Sequence, residues 1–503
     1  MAQPRSFPRI CIALGLPDVP SLLKHARREV ESGELFLDFR LDYLTNPSEG
    51  PGAIKQALEQ FPDCTIIATC RRRQNHGKFN GSIEQQLDLL HEAVDAGAQI
   101  VDIEIESAET APDRLHDFRT RALVIVSYHN YEATPAMDTV VSRILKVQAD
   151  AYKLVTTARK PSDNIRVLGA ARALPRHKVV VLAMGEAGFP TRVLSPVFGG
   201  AYTYAAPLYA EATAAGQVCA RQLRKVYCVE KLAKGAKIYG IIADPVRHSL
   251  SPVVHNRAFR SRRIDAVYLP FLVQPSQIRD FFSLAERLPL AGFSVSIPHK
   301  QKILRYLDFL DPLARRIGAV NTVWRKGGKW RGANTDVDGI VLPLARQLRI
   351  SGSSVLIAGN GGAARSAAFG LADAGARVSI VGRNSDRVRA LAKAVNAEPL
   401  GMEQLNGRKF DVVVHATPLG MTPHPDACFF PGAIPAEVVM DLVYTPSETL
   451  LLRRAKEQGA LVIPGLEMFI EQAVRQFELW TGDTAPRAVM LSAALEALEG
   501  HCK

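Results

Sequence analysis

The sequence predicts an α/β protein in which an N-terminal (β/α)8 barrel is fused to a two-lobed α/β region that ends in a Rossmann-type lobe. Three observations predict it. Residues 1–225 hold eight short β-like runs that alternate with helical stretches. After a basic linker, "RQLRKVYCVEKLAKGAK", the strand pattern restarts at "IYGIIADPVRHSLSP". Further on, "SGSSVLIAGNGGAARSAAFGLADAGARVSIVGRN" reads as a strand, a glycine-rich turn, a helix and a second strand, the order of a dinucleotide-binding βαβ unit.

The eight runs are "RICIALG", "ELFLDFRLD", "CTIIATCR", "AQIVDIEI", "LVIVSYH", "DAYKLV", "KVVVLAMG" and "AYTYAA". The stretches between them, such as "SIEQQLDLLHEAVDAG", space apolar residues along one helix face and end in glycine. Eight strand-helix repeats within one domain fit a barrel. Functional groups in that fold gather at the C-terminal ends of strands, and Arg40, Arg71, His129, Lys153 and Met184 fall at or near such ends. They are expected to converge on one mouth.

At 503 residues the chain has room for two or three domains with their own cores. Its composition, 47% hydrophobic and 22% charged without a low-complexity tract, is that of a globular protein. No apolar run reaches the roughly 18 residues needed to span a bilayer, and "MAQPRSFPRICIALG" lacks a signal-like apolar core, so no membrane partner and a cytoplasmic location are expected. Cys11, Cys64, Cys70, Cys219, Cys228, Cys428 and Cys502 match no zinc or redox spacing. Free thiols and no metal site are expected. The net charge of +12 is not gathered into a basic helix or an aromatic-plus-basic signature. Small anionic substrates therefore explain it better than nucleic acid.

Within "AYKLVTT", Lys153 interrupts an apolar strand. Burying an ammonium is costly, so such a lysine either carries its head to solvent or works as an amine of lowered pKa. His129 lies on the preceding run, so that amine and imidazole can face each other across a pocket. The pairing suits imine chemistry: the lysine condenses with a ketone, the neighbouring C–H becomes acidic, and the histidine removes that proton. A snorkelling lysine beside a hydrogen-bonded histidine is the alternative.

Over residues 8–225 the chain resembles type I 3-dehydroquinate dehydratase, through "ELFLDFRLDYL", "TCRRR", "SYHNYEATP", "AYKLVTTARKPSDN", "MGEAGFPTR" and "EATAAGQ" in that order. The resemblance implies that Lys153 forms a Schiff base with the substrate ketone and that His129 is the general acid/base for proton removal and imine turnover. It also implies that Arg192 holds the substrate carboxylate, with Asp38, Arg40, Arg71, Met184, Thr213 and Gln217 around the substrate. Two positions depart from the family pattern. Asp38 stands where a glutamate is usual, and Asn75 stands where an acid follows the arginine of "TCR" by four residues. The first change keeps the charge on a shorter stem, whereas the second removes a carboxylate. Arg72 and Arg73 read as solvated and receive no role.

In the second half, "IAGNGGAARSAA" is a G-x-G-x-x-A turn between a strand and a helix of small residues, where backbone N–H groups can hold a pyrophosphate. The following strand, "RVSIVG", leads to Arg383, with Arg387 one turn later. An acid there would bind a ribose 2′-hydroxyl, whereas arginines accommodate a 2′-phosphate, so NADP is the expected cofactor. Two solvated arginines are the alternative. Upstream, "HSLSPVVHN", "GFSVSIPHK", "GAVNTV" and "GANTDVDG" combine small hydroxyl or amide residues with turns, as a site for a polyhydroxylated acid requires. Lys300 and Asp336 can form an ion pair for proton transfer at an alcohol or ketone, or a plain surface salt bridge.

With "HATPLGMTP", "VVMDLVYTPSETLLL" and "GLEMFIEQAVRQFELWTG" added, residues 237–500 resemble shikimate dehydrogenase. The resemblance implies that Lys300 and Asp336 are catalytic and that Ser249, Ser251, Ser296, Asn321, Tyr444 and Gln472 surround the substrate. Gly359, Gly361, Gly362 and Ala363 would cradle the cofactor phosphates, with Arg383, Asn384 and Arg387 at the adenosine end. Ser296 replaces a more usual threonine and His415 a more usual asparagine. Expected boundaries are 1–227 for the barrel, 237–340 for a substrate lobe completed by a C-terminal helix over 485–503, and 341–484 for the NADP lobe. The two resemblances imply consecutive steps, from 3-dehydroquinate through 3-dehydroshikimate to shikimate. An NAD-using quinate/shikimate dehydrogenase is opposed by Arg383. A repressor like the fungal regulators of quinate use is opposed by the presence of both lysines.

Overall fold

The computed structural model describes residues 7–247 and 249–500; Cys502, His248 of "HSLSP" and the outermost ends of the expected first and last segments lie outside them. Two compact units divide the described residues: everything up to Lys237 together with Leu269–Pro289, and Ile238–Tyr268 together with Leu290 onward.

In the first unit each of the eight expected runs is a strand: β1 (Ile10–Leu14), β2 (Phe36–Arg40), β3 (Thr65–Thr69), β4 (Ile100–Glu104), β5 (Leu123–His129), β6 (Ala151–Thr157), β7 (Lys178–Met184) and β8 (Thr203–Ala205). They order β7-β6-β5-β4-β3-β2-β1-β8. The Ala201 N–H donates to Val179 O at 2.7 Å and ties the β8 edge back to β7. The strands read as nearly continuous apolar runs because helices cover their outer faces while side chains fill the interior. Helix starts follow the local chemistry, as at Ile83–Asp95, where Ser82 and Gln85 form a reciprocal capping box. Phe7, Phe36 and Tyr202 pack ring against ring, with centroids 5.0–5.9 Å apart, in one cluster with Ile67, Ile100, Ile125 and Ala151.

Register sets the layers of the interior. Ser127 lies opposite Lys153, and His129 opposite Val155. Lys153 is thus the third of seven residues in β6 and not at its end. Its long stem makes up the difference, because the two-residue offset from His129 is a rise of about 6.6 Å along the strand.

The second half contains a mixed sheet of β9 (Lys237–Ala243), β10 (Ala266–Leu272), β11 (Leu290–Val295), β12 (Phe309–Leu310), β13 (Thr322–Lys326) and β14 (Lys329–Ala333), ordered β10-β9-β11-β13-β14-β12. An all-parallel sheet follows, of β15 (Ser354–Ala358), β16 (Arg377–Val381), β17 (Glu398–Leu400), β18 (Phe410–His415), β19 (Ala436–Asp441) and β20 (Leu461–Ile463). Its order, β17-β16-β15-β18-β19-β20, reverses direction between β15 and β18, the crevice where this topology binds nucleotides.

The helix Gly465–Thr481 serves both sheets. Met468 joins the core beside β15 and β18, while Trp480 stacks on Tyr239 and donates from Nε1 to Val323 O at 3.0 Å. This one helix therefore contributes to the packing of both sheets. The last helix, Arg487–Leu498, returns to the mixed-sheet side, where Glu496 pairs with Arg257 at 2.8 Å. Among the described residues no helix is long and apolar enough to cross a membrane.

Candidate functional site

One cavity at the barrel mouth is lined by Asp38, Arg40, Arg71, His129, Lys153, Met184, Arg192, Thr213 and Gln217, with Tyr131 and Tyr204 beside them. Lys153 Nζ donates to Asp102 Oδ2 at 2.7 Å and to the Tyr204 hydroxyl at 3.0 Å. Asp102 Oδ1 accepts from Ser127 Oγ at 2.5 Å and from Arg71 Nη2 at 3.4 Å. Arg71 Nη1 lies 2.8 Å from His129 Nε2. A guanidinium can only donate, so Nε2 accepts and the imidazole is held as a base. His129 and Lys153 face the same cavity, but their hydrogen-bond partners are Arg71 and Asp102, not each other. Thr69 Oγ1 donates to Asp38 at 2.6 Å, and Asp42 grips Arg40 through two bonds of 2.9 and 2.8 Å.

The charges are tuned by burial first. Burial, followed by the neighbouring cations Arg71, Lys153 and Arg40, holds the His129 imidazole well below its ordinary range, so it is neutral at pH 7. Burial works against the Asp102 carboxylate, yet Lys153 and Arg71 hold it below the usual range and it stays ionised. Asp38 is pushed up by burial, against the pull of Lys153. Arg192 is 1% exposed, and burial pushes its guanidinium down to about 10. Its Nη2 donates to Ala215 O at 3.0 Å, while Nε has no partner among the described residues. A buried guanidinium with no carboxylate beside it is a seat for an anion.

Several residues here escaped the sequence reading. Asp102 and Glu104 alternate within "AQIVDIEI", so two acids share the inward face of an apolar strand, a signal that was available. Arg72 is corrected: it is buried, and both its backbone N–H and its Nε donate to Glu104. Asn75 lies outside the cavity lining, in the turn Arg73–Asn75, where Nδ2 donates to Glu106 Oε2 at 2.6 Å.

In the second unit Lys300 Nζ donates to Asp336 Oδ2 at 2.6 Å. Asp336 opens the helix Asp336–Ala345, where a carboxylate is favoured by the helix dipole. Asn321 Nδ2 donates to its other oxygen at 2.7 Å and lies 3.5 Å from Gln472 Oε1. Gln476 ties this group to the mixed sheet, accepting from Ser294 Oγ at 2.8 Å and donating to Asn321 O at 3.3 Å. Ser249 Oγ accepts from the Ser251 N–H at 3.2 Å, Ser296 follows β11 directly, and Tyr444 packs on Phe469 with centroids 5.1 Å apart. Among the described residues none of these four hydrogen-bonds to the Lys300–Asp336 pair.

The glycine-rich turn fits a dinucleotide. Gly359 has φ +130°, and a Cβ there would meet Ala416 O at 2.7 Å, so a side chain is excluded on both counts. A Cβ at Gly361 would meet nothing within 4 Å, and one at Gly362 would lie 3.5 Å from Lys300 Cδ. The turn thus adjoins Lys300 of the Lys300–Asp336 pair. The helix Gly362–Asp373, with Ala363 in its first turn, has no side-chain cap and leaves its first N–H groups to a phosphate. Arg383 and Arg387 are exposed and have no ion-pair partner among the described residues. Asn384 caps the helix Ser385–Ala394 by accepting from the Arg387 N–H at 3.0 Å. His415 Nδ1 lies 2.8 Å from Asp441 Oδ1 and its Nε2 is bonded to Thr417 Oγ1. It fixes the loop that passes the Gly359 turn.

Comparison with known proteins finds a match in each half of the chain. The family of type I 3-dehydroquinase matches residues 10–234. The shikimate dehydrogenase substrate binding domain matches 241–323, the shikimate/quinate 5-dehydrogenase family 344–420, and the shikimate 5′-dehydrogenase C-terminal domain 465–495. The chain is 33% identical to the chloroplastic bifunctional 3-dehydroquinate dehydratase/shikimate dehydrogenase of Arabidopsis thaliana, over 95% of this chain and 83% of that one. It is 38% identical to a shikimate dehydrogenase (NADP(+)) of Bacillus cereus, over 52% of this chain and 99% of that one. A crystal structure of a shikimate dehydrogenase in complex with NADP+ superimposes with a TM-score of 0.51 at 37% identity, covering 53% of this chain and 97% of that one. With 33% identity to a relative that carries both halves in the same order, over 83% of that relative's length, the chain belongs to the family of bifunctional 3-dehydroquinate dehydratase/shikimate dehydrogenases.

Proposed function

We propose that Lys153 and His129 dehydrate 3-dehydroquinate and that Lys300 and Asp336 serve the reduction of 3-dehydroshikimate to shikimate. The observation that carries the first half is a buried amine held by Asp102 beside a neutral imidazole and a guanidinium without a counter-ion. Arg192 takes the substrate carboxylate. The Lys153 amine adds to the ketone and loses water to give an imine, which acidifies the adjacent C–H. His129 removes that proton at Nε2, in place of its hydrogen bond from Arg71, and returns it to the hydroxyl that the resulting enamine expels from the next carbon as water. Hydrolysis of the product imine frees Lys153.

In the second half, NADPH when bound supplies a hydride for the ketone carbon of 3-dehydroshikimate. Lys300 gives the developing alkoxide its proton, and Asp336, held by Asn321, keeps the ammonium in place. Gly359, Gly361, Gly362 and Ala363 receive the pyrophosphate, and Arg383 and Arg387 receive the 2′-phosphate. Ser249, Ser251, Ser296, Tyr444 and Gln472 are assigned to the substrate hydroxyls and carboxylate. The six cysteines among the described residues are scattered and free, which supports a reducing compartment, and we place the protein in the cytoplasm.

The test is to supply 3-dehydroquinate and NADPH to the purified chain and follow shikimate. Shikimate should appear in step with NADPH consumption. Accumulation of 3-dehydroshikimate without NADPH loss would refute the second half, and unchanged 3-dehydroquinate the first. Arg383→Ala should raise KM for NADPH about 10- to 100-fold and leave KM for NADH nearly unchanged, since a charge-assisted phosphate contact is worth roughly 1.5–3 kcal/mol.

A further inference from the structure

His415 stands where asparagine is more usual, and neither reaction uses it directly. It ends β18, in register with Ala358 of β15 on one side and with Asp441 of β19 on the other. Both Asp441 oxygens already accept, Oδ1 from the Val443 N–H at 3.0 Å and Oδ2 from Thr449 Oγ1 at 2.6 Å. His415 Nδ1 therefore donates to Oδ1, and the ring is fixed with Nε2 toward the Thr417 hydroxyl. His415, Asp441 and Thr449 are at most 1% exposed. The Leu419 N–H donates to Thr417 Oγ1 at 3.3 Å, so two bonds turn that hydroxyl away from the glycine-rich turn. The methyl faces the turn instead, for a Cβ at Gly359 would lie 3.4 Å from Thr417 Cγ2. Backbone joins the same surface, since the Ala416 N–H donates to Ala358 O at 2.8 Å.

Placement in the sheet tells which part of the cofactor this surface meets. Arg383 and Arg387 follow β16, on one side of β15, whereas Thr417 follows β18, on the other. With the pyrophosphate over the turn after β15 and the adenosine on the β16 side, the nicotinamide half falls to the β18 side. We propose that His415, held by Asp441, is a positioning residue for NADP: it keeps the Thr417 hydroxyl turned inward and the methyl toward the turn, as a preformed apolar wall for the nicotinamide half. The proposal rests on the reading of the glycine-rich turn and the two arginines as the NADP site. An asparagine, whose amide ends level with Nδ1, would reach Asp441 but not Thr417. A wall that is already set spares the ligand the cost of ordering it on binding.

The test is calorimetric titration of the purified full chain with two ligands, NADP+ and adenosine 2′,5′-bisphosphate, which fills the adenosine end alone. His415→Asn keeps a donor for Asp441 and gives up Thr417. Its Kd for NADP+ should rise about 3- to 10-fold, the worth of one ordinary hydrogen bond, while its Kd for the bisphosphate stays at the parent value. Binding of the bisphosphate also shows that the lobe is folded. Thr417→Val presents a methyl whichever way it turns and should bind NADP+ as the parent does. Thr417→Ala leaves the His415–Asp441 pair in place, removes the methyl and should lose affinity as His415→Asn does. Parent affinity for NADP+ in His415→Asn or in Thr417→Ala overturns the proposal. So does an equal loss of both ligands, which would make His415 a structural residue only, and so does a loss in Thr417→Val larger than that in His415→Asn, which would mean that the hydroxyl itself holds the cofactor. A parent protein that binds neither ligand overturns the NADP reading, and this proposal with it.

Discussion

A guanidinium buried beside no carboxylate, as Arg192 is, costs the free barrel energy that a bound carboxylate returns. Burial pushes its pKa down to about 10, which costs the folded unit about 3 kcal/mol at 1.36 kcal/mol per pKa unit. Arg192→Met should therefore raise the melting temperature of the ligand-free dehydratase unit, while kcat/KM for 3-dehydroquinate falls about 10- to 100-fold, mostly through KM. Calorimetry and steady-state kinetics on the same variant check both halves; a lowered melting temperature would mean that the guanidinium stabilises the barrel without substrate. For His129 the sign is also fixed. Its folded pKa is depressed, so its contribution to stability is complete above about 6.5 and is lost as pH falls toward the folded value. Dehydratase kcat/KM should stay level as pH drops through 6.5 and decline only in more acid solution. A decline centred on 6.5 would show an ordinary, solvated imidazole. At this scale the sequence was readable where a polar residue stood alone in an apolar strand, as Lys153 does. Tyr204 was not, because a tyrosine in a strand is ordinary core and only the placement of β8, paired with β1 and tied back to β7, brings its hydroxyl to the amine. The partner of Asn75 depends on a turn whose path no pattern records.

At the level of elements, the eight barrel strands were legible because apolar runs and amphipathic helices alternate without interruption. The helix Gly465–Thr481 was harder: it buries residues on nearly every side, from Leu466 to Trp480, and such a helix cannot be assigned to one lobe by its apolar face. The Lys300–Asp336 pair depends on two elements, the turn after β11 and the start of the helix Asp336–Ala345. If the pair acts as a unit, Lys300→Ala and Asp336→Ala should each remove most of the turnover in shikimate oxidation. The double variant should then be little worse than the more damaged single one. The affinity for NADP should change little, since the glycine-rich turn holds the phosphates by backbone. Fully multiplicative losses would mean independent roles.

For the whole molecule, the decisive fact is that each site is assembled inside one compact unit. Lys153, His129 and Arg192 belong to the first unit, and Lys300, Asp336 and the glycine-rich turn to the second. No residue proposed for one reaction is shared with the other, so a loss in one unit should not spread. Lys153→Ala should abolish dehydration and leave shikimate oxidation at the parent rate; Lys300→Ala should do the reverse. Fusion alone does not oblige the intermediate to stay with one chain. A mixture of the two variants, supplied with 3-dehydroquinate and NADPH, should therefore make shikimate after a lag that shortens as the Lys300-defective chain, which makes the intermediate, is increased. Shikimate from the mixture with neither variant active alone is the expected outcome. Failure of the mixture, with each partial activity intact, would show that the intermediate passes only between sites of the same chain.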